Sequence, residues 1–596
     1  MFKKLQPELL FKLRVLFSPS EVKKTYLIFI GIVLMGFIEL IGISSIAPFI
    51  AVVLEPDMIH ENIYLSYAYR FLSANNSEEF IAILGISVVI ALLVSNILQV
   101  FINWQIIHFT NVQTYRLSVR LLDKYLNEPY SFYLNKNPSE MSKNILSEVA
   151  RGVHGVVLQV MTVISKAIVV IFIFILLLWL DPLTAIVSVL TLGVAYGLIH
   201  HIVKDKVKSW GVGLTEESFK AYKAVNESMS AIKYIKFKSC EKKFVDLFRV
   251  PAENISLYST KSSLVTLLPR YILEVIIFGG MILIVVFSER KGIKIVPIIS
   301  LYAMAGYRLM PALQTIYSGV TSVRYAMPAF NLIANDLSKR TNTNKINNNS
   351  LSFSKDLEVK NLCYGYHASK NLIVNKLDLS IKKNTTIAIV GTTGSGKTTL
   401  MDLLLGLITP NSGDIYLDNI KLNDKNIHIW RNIIGYVPQS IYLTDDTIEK
   451  NIAFGVDCNE IDKSQVAKVA KIANLDNFIN TLPERYDTFV GERGVRLSGG
   501  QQQRIGIARA LYHDPDIIML DEATSSLDSI TENSIMEAIH NIAHQKTIIM
   551  IAHRLSTIKE CDEIHMMDHG RIVDSGTYEH LISFNKEFKK MTNGAF

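Results

Sequence analysis

Six apolar segments, each long enough to cross a bilayer, lie within the first 330 residues of a 596-residue chain. They fall near 25–54, 80–109, 155–180, 183–203, 264–287 and 293–320. A helix needs about 20 mostly apolar residues to span the hydrocarbon. Inside it, only helices and closed barrels satisfy their own backbone polar groups. Six segments of this length and continuity predict an all-α membrane domain of six spans, and the low charged fraction of 19% agrees. The third and fourth spans are separated only by Asp181-Pro182, a tight turn between antiparallel helices.

Basic residues that flank spans mark the cytoplasmic side. Lys3, Lys4, Lys12, Arg14, Lys23 and Lys24 precede the first span, whereas the loop after it is acidic, with Glu55, Asp57, Glu61, Glu78 and Glu79. The stretches after spans 2 and 4 are again rich in Lys and Arg, so both termini are predicted to be cytoplasmic. These positions account for the formal charge of +7, which therefore does not point to nucleic acid. The two inner loops are long, and their apolar spacing continues helically past the spans. Structureless loops of that length are uncommon, so long helices projecting into the cytoplasm are expected. Residues 1–24 contain the amphipathic, basic stretch Pro7–Arg14 and are predicted to form an interfacial helix. The four cysteines have no metal-ligand or redox spacing and read as unpaired thiols.

The transmembrane domain is thus placed at 25–335. A polar stretch rich in Asn, Ser and Thr follows, giving a linker at 336–355. In the soluble remainder, 356–596, the apolar run Thr386-Ile387-Ala388-Ile389-Val390 enters Gly391-Thr392-Thr393-Gly394-Ser395-Gly396-Lys397-Thr398-Thr399 and then a helical pattern. Strand, glycine loop and helix in that order form the context of a phosphate-binding loop. Its N–H groups and the helix N-terminus attract phosphate. Lys397 is expected to reach the β- and γ-phosphates of ATP, and Thr398 to ligate Mg²⁺. A second apolar strand ends in Asp521-Glu522. Asp521 is expected in the Mg²⁺ shell and Glu522 as the general base that polarises the attacking water.

Further motifs carry a family resemblance. Leu497-Ser498-Gly499-Gly500-Gln501, about a hundred residues after the glycine loop, resembles the signature of ATP-binding-cassette (ABC) proteins. Gln439 in Tyr436-Val437-Pro438-Gln439 resembles the Q-loop, Asp528 the D-loop, His553 the switch histidine and Tyr366 the aromatic that stacks on adenine. Gly491-Glu492-Arg493-Gly494 resembles the segment that touches the membrane domain in exporters. The resemblance covers the ATPase domain motif by motif, and the six spans extend it to the rest of the chain. It implies a six-helix ABC-exporter membrane domain followed by an α/β P-loop ATPase domain. It also implies that Gln439 senses nucleotide through Mg²⁺, that His553 orients the water, and that Ser498 and Gly500 complete the site of a partner domain. One chain carries one glycine loop and one signature, so a second copy is expected, a heterodimer being the alternative.

Charges within spans are costly and default to function. Arg270 and Glu274 lie one turn apart on span 5, Arg308 lies on span 6 and Lys166 near the middle of span 3. Around a shared cavity they suit an anionic head group, although Arg270 and Glu274 also satisfy each other. Pro-Arg-Tyr-Ile-Leu-Glu at 269–274 and Tyr-Arg-Leu-Met-Pro-Ala at 307–312 resemble the bacterial flippases for lipid-linked oligosaccharides. That resemblance implies a polyprenyl-pyrophosphate-linked glycan as cargo and a bacterial inner-membrane location. A peptide, bacteriocin or lipid exporter is the alternative.

Overall fold

The computed structural model describes residues 16–593 apart from 46–48, 50–51, 54–55, 58, 60–62, 72–75, 181, 289–295, 340–350, 367–370, 523–535, 538, 541 and 553–557. Contacts divide the chain into two compact units. One comprises Met1–Glu128 and Asn135–Thr341, the other Pro129–Leu134 and Asn342–Phe596.

Six long helices dominate the first unit: α1 (Pro19–Ser44), α2 (Ser77–Leu126), α3 (Gln159–Leu180), α4 (Pro182–Ser230), α5 (Glu241–Ser288) and α6 (Val296–Ser338). By length and composition, Pro19–Gly42, Ser77–Leu126 and Pro138–Leu176 are long and apolar enough to cross a membrane among the described residues. The 50 residues of α2 extend about 75 Å, more than twice the ~30 Å of hydrocarbon. The helices therefore run well beyond any bilayer they enter, through the stretches where the sequence pattern stays helical. Pro182 opens α4, where a missing N–H costs nothing. Between α1 and α2 lies a short helix, Ile63–Phe71. There Tyr69 packs edge-on against Phe80 at 5.2 Å.

Small residues set the helix crossings. A Cβ added at Gly211 of α4 would lie 2.3 Å from the Tyr325 carbonyl oxygen of α6. One added at Gly155, just before α3, would lie 2.2 Å from the Ala326 Cβ. Such small residues let the helix backbones approach closely, so that each crossing packs backbone against backbone.

The entry to α3 is irregular. Two π-helical segments, Asn144–Glu148 and Val153–Leu158, interrupt it, and such bulges realign side chains within a helix. Here they surround a buried charge cluster. Glu148 is wholly buried, 2.7 Å from Arg151 and 4.0 Å from Lys143. The Lys143 Nζ also donates to the Thr215 carbonyl of α4 at 3.4 Å. One turn away, Asn144 donates to the Tyr125 hydroxyl at 3.1 Å, and that hydroxyl donates to Asp336 of α6 at 2.7 Å. Four helical stretches are thus tied together by polar groups that have little water to fall back on.

The second unit is α/β. Strands β1 (Asp356–Tyr364), β2 (Val374–Lys382), β4 (Ser412–Leu417) and β5 (Ile420–Lys421) form an antiparallel sheet in the order β2-β1-β4-β5. The larger sheet has the order β10-β9-β3-β8-β7-β6. Its members are β3 (Thr386–Val390), β6 (Ile434–Val437), β7 (Ile517–Asp521), β8 (Thr547–Ile551), β9 (Glu563–Asp568) and β10 (Arg571–Gly576). All its pairs are parallel except β9 with β10. Every residue of β3, β7 and β8 is buried, because successive side chains feed two different cores. Ala388, Val390, Ile518, Leu520, Ile548 and Met550 face a helical layer. Ile387, Ile389, Ile517, Met519, Ile549 and Ile551 face the antiparallel sheet and the helix after the glycine loop.

Candidate functional site

Parallel strands present their carboxyl ends on one edge of a sheet, where α/β proteins place their ligands. Here β3 ends at Val390, just before Gly391, β7 at Asp521 and β6 just before Pro438-Gln439. The register across β6, β7 and β8 pairs Val437 with Leu520 and Asp521 with Ile551. The glycine loop, the acidic pair and Gln439 therefore converge on one edge, as the motif order predicts.

The loop is shaped by positions that a side chain cannot occupy. A Cβ at Gly391 would meet the Met567 carbonyl oxygen at 2.1 Å, and Gly396 (φ 103°) caps the following helix α7, Lys397–Leu404. Gly394 (φ 85°) faces open space among the described residues. Lys397 folds back over the loop, its Nζ donating to the carbonyls of Gly391 at 2.9 Å and Thr392 at 3.1 Å. Burial holds its ammonium below the usual lysine range, opposed by the Glu522 and Asp521 charges. Ser395 is buried, and its Oγ has no hydrogen-bond partner among the described residues. Thr398 is exposed at the mouth, whereas Thr399 is buried in the core behind it. An orphaned hydroxyl, a lysine bonded only to carbonyls, and an open glycine face fit a polyphosphate, whose oxygens would supply the missing acceptors.

The acidic wall fits a cation. Asp521 is buried, and burial pushes its carboxyl up to about 6; the Glu522 and Asp402 charges add to the shift and Lys397 opposes it. Asp402, on α7, is likewise pushed up to about 6 by burial. Such carboxyls await a positive charge, and Mg²⁺ held with Thr398 and Gln439 would supply it. Glu522 has a left-handed backbone (φ 47°), unusual for a glutamate and of the kind stored at functional sites. Its Oε2 accepts a hydrogen bond from the Gln439 Nε2 at 2.6 Å. Tyr366 stands edge-on to Tyr364 at 5.2 Å, half-buried beside the antiparallel sheet.

The signature segment caps a helix. Ser498 is the N-cap of α8 (Gly499–Leu511), donating through its N–H to the Gln501 side chain at 2.8 Å while its Oγ accepts from the Gln501 N–H. This reciprocal capping fixes the turn and leaves Ser498 and Gly499 exposed, with Gly500 buried. Asp528 and His553 lie outside the described residues.

The residues predicted for a substrate cavity are only partly gathered. Arg270 Nε meets Glu274 Oε1 at 3.1 Å, an exposed i,i+4 pair. Arg308 is on α6, where its side chain lies outside the described residues, and Lys166 is half-buried on α3. Several charges escaped the sequence reading. Glu39 is a buried acid within α1, legible in principle as a lone acid in an apolar run. The cluster of Glu148, Arg151 and Lys143, and Asp402 beside the acidic pair, gave no such signal.

Comparison with known proteins places these features. Residues 374–525 match the family described as ABC transporter. Over 278 residues the chain is 39% identical to the heterocyst differentiation ATP-binding protein HepA of a Nostoc species, covering 46% of this chain and 45% of that protein. It is 41% identical over 235 residues to the ATP-dependent lipid A-core flippase of Coxiella burnetii, covering 39% of this chain and 40% of the flippase. The matched stretch thus spans less than half the length of these curated relatives. A bacterial Atm1-family ABC exporter with ATP bound superposes over 95% of this chain and 97% of its own, with a TM-score of 0.77 at 22% identity. The fold is that of this ABC exporter: a helical unit followed in the chain by an α/β unit, within which the ABC transporter match lies.

Proposed function

We propose that the chain is one half of an ATP-driven exporter and that it flips an amphiphile with an anionic head group. The best-fitting cargo is a polyprenyl-pyrophosphate-linked oligosaccharide. The observation that carries the reading is the convergence of Lys397, Asp521, Glu522 and Gln439 on one sheet edge, in a chain that also bears six helices of bilayer-spanning length. ATP with Mg²⁺ supplies an electrophilic phosphorus and a clamp of charge. The protein's own groups do the rest. Lys397 exchanges its loop carbonyls for phosphate oxygens. Asp521 and Thr398 hold the cation, and Glu522, once released from Gln439, takes a proton from water. His553 is assigned to orient that water, and Tyr366 to carry the adenine.

Ser498, Gly499, Gly500 and Gln501, with Asp528, are assigned to the nucleotide of a second copy. An exposed, rigidly capped serine suits that role. Nucleotide then joins two chains, and the long helical extensions carry the closure to the membrane domain. The six spans, 25–335, and both cytoplasmic termini belong to this reading, as does an inner-membrane location. Arg270, Glu274, Arg308 and Lys166 are assigned to the cargo. Likeness to lipid A-core flippases supports a lipid exporter as the second reading. Reconstituted vesicles test both. Polyprenyl-pyrophosphate-linked glycan should be moved between leaflets only with ATP, and Arg270→Leu with Arg308→Leu should abolish that movement. Transport of a lipid-A-type glycolipid instead of the polyprenyl glycan would select the second reading.

A further inference from the structure

A cluster of positive charge lies in α4 and α6, apart from the intramembrane charges considered above. Among the described residues, seven line a crevice there that is too tight for a water molecule, so an anion can meet its charges only at the rim: His200, Val203, Lys204 and Val207 from α4, and Tyr317, Thr321 and Arg324 from α6. No acid lines it. The charges acting on His200 come from Arg324, Lys204 and His201, all of one sign. Among the described residues, no carboxylate lies within ion-pair distance of Lys204 or Arg324, whereas Glu148, Glu217 and Glu274 each pair with a nearby cation. Half-buried cations without a counter-charge repel one another and are costly to hold, unless an anion comes and goes.

Level and surroundings indicate which anion. The apolar run of α4 ends at Val203 and that of α6 at Val320, so both helices leave the hydrocarbon at this cleft. That is the depth of the inner-leaflet head groups. On the membrane side, Tyr196 and Tyr317 pair their rings at 5.6 Å. Charge at this level, with an aromatic pair on its membrane side, fits the head group of a phosphate-bearing amphiphile whose tail stays in the bilayer.

We infer that His200, Lys204 and Arg324 form a recognition site for the phosphate or pyrophosphate head group of an amphiphile at the inner-leaflet boundary. The inference rests on the flippase reading and adds the place at which cargo is first held. Lys204 and Arg324 donate to the phosphate oxygens, and Arg324 can do so through two N–H groups at once.

The test uses the full chain in phosphatidylcholine vesicles, with undecaprenyl pyrophosphate as probe, undecaprenol as its neutral counterpart, and stimulation of ATP hydrolysis as readout. The pyrophosphate lipid should stimulate and the alcohol should not. Lys204→Gln with Arg324→Gln should raise the half-maximal lipid fraction about tenfold or more. Lys204→Arg with Arg324→Lys should stay within about threefold of the native chain, which separates charge from misfolding. Excess soluble pyrophosphate at saturating ATP discriminates the source. Competition in the native chain but not in the Gln variant means that the free anion suffices; no competition means that the lipid anchor is needed. Equal half-maximal fractions in the native and Gln chains would overturn the site, as would equal stimulation by the alcohol. If phosphatidylglycerol stimulates where undecaprenyl pyrophosphate does not, and the Gln variant loses that response, the polyprenyl reading fails while the site stands.

Discussion

Gln439 donates from Nε2 to Oε2 of Glu522 at 2.6 Å, so the carboxylate expected to accept a proton from water is engaged by the residue expected to sense Mg²⁺. The bond spans two strand ends, β6 and β7, and ties one lone-pair direction of the base. Nucleotide with Mg²⁺ would draw the amide away and free the carboxylate, coupling occupancy to base strength.

Glu522→Gln should therefore lower ATP hydrolysis by about 10²–10⁴-fold while nucleotide binding persists. Phosphate release and binding of a fluorescent ATP analogue measure the two separately. Gln439→Glu places two carboxylates within the same bond, so one must hold a proton. Hydrolysis by that variant should fall further as pH rises above the pKa of the pair. Full activity in Glu522→Gln would remove it as the base.

Asp402 makes a pH prediction. Burial raises its carboxyl from 3.8 to about 6, so the ionised form weighs against the fold. The penalty is fully present above pH ~6, is relieved as the pH falls from there, and is absent below the unfolded value of 3.8. Asp402→Asn should therefore stabilise the Mg²⁺-free chain by about 1 kcal/mol at pH 7.5, allowing for solvent screening. The advantage should vanish between pH 6 and pH 4. Thermal unfolding in a chelator across that range measures it; a gap that widens on acidification would contradict the assignment.

The glycine loop, the acidic pair and Gln439 were legible because each lies at the end of an apolar strand, and parallel strands carry such ends to one edge. The long helices were legible from apolar length and unbroken helical spacing. The buried cluster was not. Ser142-Lys143-Asn144 through Glu148 to Arg151 reads as an ordinary charged helix face, and nothing local reveals that π turns swing Glu148 between two cations. Likewise Lys204 and Arg324 are 120 residues apart in sequence. Each reads as a basic residue that orients a span, and only the packing of α4 on α6 makes them one site.

Glu148 should be intolerant of neutralisation. It is wholly buried, 2.7 Å from Arg151, and Glu148→Gln leaves Arg151 and Lys143 uncompensated. Breaking a buried pair from one side costs about 3–5 kcal/mol, seen as a fall of several degrees in the unfolding midpoint of the solubilised chain. Adding Arg151→Leu and Lys143→Met should recover most of the loss, since an apolar cluster of similar volume carries no stranded charge. A single variant as stable as the native chain would mean that water reaches the cluster.

Two glycines of α4 should respond oppositely to substitution. At Gly211 an added Cβ would lie 2.3 Å from the Tyr325 carbonyl oxygen, and backbone cannot give way as a flexible side chain does. Gly211→Ala must therefore push α4 from α6, lose packing along the crossing and separate Lys204 from Arg324. The cost should be about 1–3 kcal/mol, with weaker stimulation by anionic lipid as its functional trace. At Gly193 an added Cβ meets nothing within 4 Å among the described residues, and alanine is the better helix former by about 1 kcal/mol. Gly193→Ala should leave the unfolding midpoint unchanged or raise it. The comparison holds helix, residue type and substitution constant, so equal behaviour at the two sites would show that α4 and α6 do not cross as closely as Gly211 requires.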